Sequence, residues 1–260
     1  MRGLLYFQPG FSIGTRDDGE PIFESFWGGQ QARSTDGTRS KNPPSWLAQA
    51  ARPPGSIHHP MMPQLSRKAL RQHLRQTRRG LDAGVRAASE AAIVRAIARH
   101  PRLGRASHLA MYWPADGEVD LRPLVTLLAR VRRQLYLPIL SRDSRLRFAP
   151  WGARTRLAFN RFGIPEPRGY AARSLRRPSQ LDAVLLPLVG FDEHGNRLGM
   201  GGGFYDRSFA FRLARRHWRK PLLIGVAFEL QRCPSLPVAT WDVPLDGIVT
   251  EHGLRLFQGI

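Results

Sequence analysis

Between Arg197 and Arg207 the chain reads R-L-G-M-G-G-G-F-Y-D-R. Four glycines (Gly199, Gly201, Gly202, Gly203) lie between two arginines, with Asp206 beside them. Glycine lets a backbone approach an anion and turn its N–H groups toward it, and arginine pairs with phosphate oxygens. An apolar run over residues 185–191 precedes the cluster, and a helix-like pattern follows it, ending near His217. Strand, glycine loop and helix start together form an arrangement that holds phosphate. Two familiar versions fail. No Lys-Ser or Lys-Thr follows the glycines, and the third glycine of a G-x-G-x-x-G starting at Gly199 would fall on Phe204. A turn that only reverses the chain is the plainer alternative, but the flanking charges exceed what a turn requires.

Other residues could join this chemistry. Asp206 and Asp242 are the candidate Mg²⁺ ligands, because that ion takes one or two carboxylates together with phosphate oxygens and water. Asp206 could instead cap a helix or pair with Arg207, and Asp242 could be a turn residue. Arg67 and Arg71 fall one turn apart on a predicted helix and can reach one phosphate. The arginine run to which they belong also fits a solvated face. Glu118 and Asp120 fall at an expected helix start, where carboxylates also serve as dipole partners. The histidines are scattered without metal spacing, and no G-x-S-x-G elbow supports a Ser/His/Asp triad. Cys233, the single cysteine, has no activating neighbour in sequence and allows no intrachain disulfide.

The elements that must position these residues follow from periodicity. Residues 66–100 read as helix, with Ser66 as N-cap and a break between Gly80 and Gly84. Residues 108–113 form a strand, 114–117 a turn, and Glu118-Val119-Asp120 open a helix that buries Leu121, Leu124, Val125, Leu127, Leu128 and Val131. Strands follow at 134–140, 181–189, 221–228 and, last, 245–250, with a hairpin around Arg147-Phe148 and a rigid loop at 162–167. Alternating strands and helices give an α/β sheet with helices on both faces. Ligands then bind beyond the carboxyl ends of the strands, where the loops 113–118, 162–167, 190–206 and 229–244 meet.

Composition sets the bounds. The chain has 260 residues and a formal net charge of +20, which favours anionic partners. Residues 1–60 hold six Lys/Arg and five Asp/Glu, so nearly all of the excess lies in the remainder. Residues 1–62 lack periodicity and are rich in Gly, Ser, Pro and Gln. They read as a disordered extension ahead of one domain over 63–260, and a start at Met61 or Met62 would make them upstream sequence translated in frame. No apolar stretch reaches the ~18 residues that a bilayer span needs.

The stretch from Pro187 to Arg207, with F-D, then G-N-R-L-G-x-G-G-G-F-Y-D-R, resembles the signature of the 5-formyltetrahydrofolate cyclo-ligase family, also called methenyltetrahydrofolate synthetases. The likeness runs over residues 66–251 and includes SRKALRQHLRQTRR, YWPADGEVD, FGIPEP and GVAFELQ…LPVATWDVPLDGIVTE. It implies a three-layer α/β/α sandwich around a mainly parallel sheet. The single cysteine suits a reducing cytoplasm, and a monomer without membrane or nucleic-acid partners is expected. The resemblance also implies an enzyme that uses ATP and Mg²⁺ to convert 5-formyltetrahydrofolate, polyglutamylated or not, to 5,10-methenyltetrahydrofolate, ADP and phosphate. The formyl oxygen would be phosphorylated and N10 of the folate would close the ring, so no protein nucleophile is required.

Carried over residue by residue, the resemblance gives ATP contacts at Arg67, Arg71, Arg197, Gly199, Gly201, Gly202, Gly203 and Tyr205. Folate contacts fall on Trp113, Glu118, Met200, Gly201, Gly202, Gly203 and Phe204. The metal carboxylates are Asp206 and Asp242, and the catalytic pair is Arg197 and Asp206. Some relatives carry lysine at the positions of Arg67 and Gly202. The first change keeps the charge; the second loses it and leaves Arg197 and Arg207 to hold the phosphates. A basic RNA-binding protein, or an ATP-dependent enzyme of this fold with another substrate, are the rival readings.

Overall fold

In the computed structural model, which describes residues 66–128, 133–214 and 220–257, the apolar runs become the inner strands of a seven-stranded sheet. The strands of this sheet are β1 (His108–Ala110), β2 (Gln134–Leu140), β3 (Leu146–Trp151), β6 (Ala183–Pro187), β9 (Leu222–Val226), β10 (Gly247–Thr250) and β11 (Gly253–Leu256), in the order β11-β10-β9-β6-β1-β2-β3. The five inner strands run parallel, and the two edge strands, β3 and β11, pair antiparallel with their neighbours. Two hairpins stand apart from it: β4 (Leu157–Phe159) with β5 (Pro165–Pro167), and β7 (Gly190–Phe191) with β8 (Arg197–Leu198).

Side chains alternate across the sheet, as the strand period of two requires. Leu109, Leu135, Leu137, Ala183, Leu185, Ile224, Val226 and Val249 face one core, which α2 (Ala83–Arg99) covers with Ile93, Val94 and Ile97, and α3 (Pro123–Leu128) with Leu124, Val125 and Leu128. Ala110, Tyr136, Val184, Leu186, Leu223 and Ile248 face the other, where α4 (Phe204–Phe209) contributes Phe209. A third, small cluster joins α1 (Arg67–Arg79), through Leu70 and Leu74, to Val189, Leu198, Cys233 and Leu236. Here Gly190 has a packing reason: a Cβ would stand 2.6 Å from Cδ1 of Leu74. The result is the mostly parallel α/β architecture expected, with helices on both faces.

Several boundaries differ from the sequence reading. The caps agree: Ser66 Oγ accepts from the amide of Ala69, and Asp82 caps α2 after the break at Gly80. The helix expected to open at Glu118 begins instead at Pro123, because residues 115–118 form a tight turn tied by a 2.9 Å bond from the Glu118 amide to the Ala115 carbonyl. The run 185–191 is not one strand. The chain leaves the sheet after Pro187, and Gly190–Phe191 pairs with Arg197–Leu198. The loop at 162–167 is in part the strand β5, and β10 is not last, since β11 folds back on it. The expectations for residues 1–62, Val131 and His217 lie outside the described residues.

Candidate functional site

The parallel strands β1, β6 and β9 send their connections to one end of the sheet, and α1 lies across those connections. One row of its side chains, spaced by three and four residues, faces them. Arg67 pairs with Asp242 at 3.0 Å, in the loop before β10. Arg71 Nε donates to the Gly199 carbonyl at 2.8 Å, at the start of the glycine loop. Arg75, Arg78 and Arg79 all pair with Asp116, in the turn after β1. The arginine run that the charge pattern reads as a solvated face is therefore partly turned inward: Arg78 is buried, Arg67 and Arg75 are part-buried, and Arg79 stays exposed while still pairing with Asp116. The carboxylate that receives three of these side chains, Asp116, was not singled out in the sequence. Its Asp-Gly pair signals a turn, but nothing in the sequence links it to a helix 37 to 41 positions away.

The glycine loop is built for close approach. Gly201 and Gly203 have φ of 100° and 61°, a region costly for other residues. A Cβ on Gly202 would lie 2.6 Å from the Phe204 ring. Arg197, at the end of the β7–β8 hairpin, is buried. It donates through Nη1 to the Val243 carbonyl and through Nη2 to Asp206 Oδ1, which also accepts from the Val243 amide at 3.2 Å. Asp242, one residue earlier, accepts from the Ala239 amide at 2.8 Å. Arg197 thus ties the loop to the 239–243 segment and brings Asp206 and Asp242 to the same locality. Burial pushes the Arg197 guanidinium down, against the opposing pull of Asp206 and Asp242; burial and the neighbouring Arg67 push Arg71 down.

Asp206 Oδ2 has no hydrogen-bond partner among the described residues, and the side chain is about a quarter exposed (24%). A hard carboxylate oxygen without a donor, next to the glycine loop, fits Mg²⁺. Asp242 is held by Arg67, so it fits the same ion only if that pair opens. No cluster of three His, Cys, Asp or Glu ligands exists among the described residues, so any metal here needs ligands from the bound molecule as well.

Glu118 lies across from the loop. Its Oε2 accepts from the Ala115 amide at 3.1 Å. Burial raises its carboxyl to about 7, and Arg78 opposes that rise. Tyr205, on α4, and Tyr112 are both pushed up by burial and by the Glu118 charge. A cleft of about 350 Å³ opens beside Glu118, lined among others by Arg86, Glu90, Asp120 and Arg122. Trp113 is half-buried, edge-on to Trp151 at 6.0 Å, with the Arg122 guanidinium 5.3 Å over its ring. No described contact joins it to Glu118. Met200 is half exposed (50%) at the loop tip, and Phe204 packs edge-on against Phe162 at 5.7 Å. Arg207 lies over Phe204 and donates to the Gly202 carbonyl, so it braces the loop from outside. Cys233 is buried, and burial lifts its thiol to about 11, as an inert cysteine requires.

Residues 63–251 match the model of the 5-formyltetrahydrofolate cyclo-ligase family. The chain belongs to that family. Two cyclo-ligases illustrate the relationship. The protein of Haemophilus influenzae is 33% identical over 187 residues, covering 70% of this chain and 96% of its own. That of Escherichia coli K12 is 39% identical over 155 residues, covering 58% and 81%. The NMR structure of Aquifex aeolicus 5,10-methenyltetrahydrofolate synthetase superposes with a TM-score of 0.64 at 30% identity, covering 75% of this chain and 95% of its own. The synthetase of Mycoplasma pneumoniae shares the fold, with a TM-score of 0.57 at 24% identity. Membership in the cyclo-ligase family makes this chain an enzyme of folate metabolism.

Proposed function

We propose that the protein converts 5-formyltetrahydrofolate to 5,10-methenyltetrahydrofolate with hydrolysis of ATP to ADP and phosphate. The observation that carries this reading is the convergence of Arg67, Arg71, Arg197, Asp206 and Asp242 on one glycine loop, with Glu118 and Tyr205 on the adjoining wall. The phosphates lie along Gly199, Gly201, Gly202 and Gly203, whose backbone brings N–H groups near an anion. Arg67 and Arg71 supply the positive charge that Gly202 lacks where relatives have lysine. Arg197 acts through Asp206: its buried guanidinium fixes the carboxylate so that Oδ2 stays turned outward.

The folate ring lies between Trp113, Met200 and Phe204, with Glu118 accepting hydrogen bonds from the pterin N–H groups. A carboxylate meets a guanidine-like edge in two places. Asp206 and Asp242 would hold Mg²⁺, which would supply charge neutralisation on the nucleotide phosphates. Opening of the Arg67–Asp242 pair on nucleotide binding would free the cation for a phosphate and the carboxylate for a metal ion. In the reaction itself the formyl oxygen attacks the γ-phosphorus and ADP leaves. N10 then attacks the activated carbon, gives up its proton to the departing phosphate or solvent, and phosphate leaves with the formyl oxygen. Both nucleophiles belong to the substrate. The chain's task is orientation and electrostatic stabilisation.

The RNA-binding reading loses its support, because Arg71, Arg75, Arg78 and Arg79 direct donors at partners within the protein. A cytoplasmic monomer suits the proposal, and among the described residues no helix is long and apolar enough to cross a membrane. The test is absorbance at the methenyl-folate band with 5-formyltetrahydrofolate, ATP and Mg²⁺. The expected rise needs all three components and falls at least roughly a hundredfold in Asp206→Ala. A folded parent protein that gives no rise would exclude the proposal.

A further inference from the structure

Arg78 is among the most deeply buried side chains of the protein, at 1% exposure. Burying a guanidinium is costly, and an apolar side chain would hold a helix in place more cheaply. This one even leaves its Nε without a partner. Both terminal nitrogens are engaged: Nη1 donates to the Leu188 carbonyl at 3.0 Å, and Nη2 donates to the Asp116 carbonyl at 2.8 Å and to Asp116 Oδ2 at 2.9 Å. Leu188 is where the chain leaves β6 for the β7–β8 hairpin that carries Arg197. Arg78 therefore touches both the route to the glycine loop and the turn that carries Glu118.

That turn is strained and heavily braced. Asp116 and Gly117 have φ of 53° and 75°. Positive φ at both central residues, with the Glu118 amide bonded to the Ala115 carbonyl, is the pattern of a type I′ turn, which Asp-Gly favours. Around it stand four arginines. Arg75, Arg78 and Arg79 grip the Asp116 carboxylate, and Arg86 of α2 donates to the Gly117 carbonyl at 2.9 Å and to the Arg78 carbonyl at 2.6 Å. A surface turn does not need four guanidinium groups to keep its shape.

We propose that Arg78, acting with Asp116, is a positioning residue that holds Glu118 in register for the folate and ties its turn to the helix that carries the nucleotide arginines. The proposal rests on the folate role given to Glu118 above. Arg67, Arg71, Arg75 and Arg78 occupy successive turns of α1, a span of about 16 Å along the axis. One rigid rod thus fixes the nucleotide and folate walls relative to each other. Arg78 is also a cation facing Glu118. The other groups facing it are Tyr112, Tyr205 and Asp116, and the cleft beside it adds Arg86 and Glu90 from α2 with Asp120 and Arg122.

The test is steady-state kinetics of Arg78→Met against pH, with both substrates varied. The expected result is a rise of at least tenfold in KM for 5-formyltetrahydrofolate, KM for ATP within twofold of the parent, and a folate pH profile displaced to higher pH by loss of the facing cation. Arg78→Lys, which keeps the charge but not the fork, should restore the midpoint and not the full affinity. Asp116→Asn tolerates the left-handed backbone and serves if Arg78→Met does not fold. It should raise the folate KM alone, without an alkaline displacement. Equal increases in both KM values, or an unmoved folate midpoint in Arg78→Met, overturn the proposal. A parent without turnover would instead remove the cyclo-ligase reading. Carbon NMR of the Glu118 carboxyl then decides the positioning claim: an alkaline shift in Arg78→Met supports it, and an unchanged titration refutes it.

Discussion

Glu118 combines two demands that conflict. Burial holds its carboxyl near 7, well above an ordinary glutamate, while the folate contact proposed for it needs the ionised form. The linkage has a definite sign. The native state binds this proton more tightly than the unfolded chain, so stability falls as pH rises from about 4.5 to 7 and does not recover above that window. Glu118→Gln removes the cost. The variant should match the parent near pH 4 and exceed it at pH 8, by about 1–3 kcal/mol in denaturant melts. It should also raise the folate KM roughly 10- to 100-fold, since an amide loses the charge-assisted acceptor. In the parent, that KM should fall as pH rises through 7. A variant no more stable at pH 8 than the parent would show that Glu118 carries no such burden. Glu118 was legible in the sequence through its resemblance. The Asp116 anchor was not, because a carboxylate in an Asp-Gly turn looks the same whether it faces water or three arginines.

At the scale of elements, α1 and the β7–β8 hairpin make the site. Apolar periodicity and the Ser66 cap located α1, but its role comes from contacts at separations above one hundred residues, with Gly199, Leu188 and Asp242. Local patterning cannot report these. The same limit explains the misplaced helix start at Glu118: acidic residues ahead of an apolar run look like a first turn, and here they belong to the turn and its exit. The split of the 185–191 run has a similar cause, since a buried hairpin strand is as apolar as a parallel one. Arg197 shows how the hairpin acts on the loop. It joins Asp206 to Val243, so Arg197→Ala frees both the loop and the 239–243 segment. ATP affinity should fall at least roughly tenfold in titration calorimetry while folate affinity changes little. Equal ATP affinity in variant and parent would refute the role given to Arg197.

Across the whole molecule, the sheet order places β6 centrally, with its exit flanked by those of β1 and β9. The turn with Glu118 follows β1, the glycine loop follows β6, and the segment toward Asp242 follows β9. Three connections from three neighbouring parallel strands thus end side by side, which is where α/β sheets bind ligands. That arrangement was legible from the alternation of apolar runs and helices. The antiparallel edge strand β11 was not, because its burial pattern is only partial.

In the proposed reaction a nucleotide and a folate meet at one point, and the central claim is that the formyl oxygen itself receives the γ-phosphoryl group. The most direct measurement supplies 5-formyltetrahydrofolate carrying ¹⁸O in the formyl group, with MgATP, and analyses the released phosphate by mass spectrometry. Phosphorylation of that oxygen predicts one ¹⁸O atom in each phosphate formed per methenyl product. Unlabelled phosphate, with the label released to water, would contradict the account.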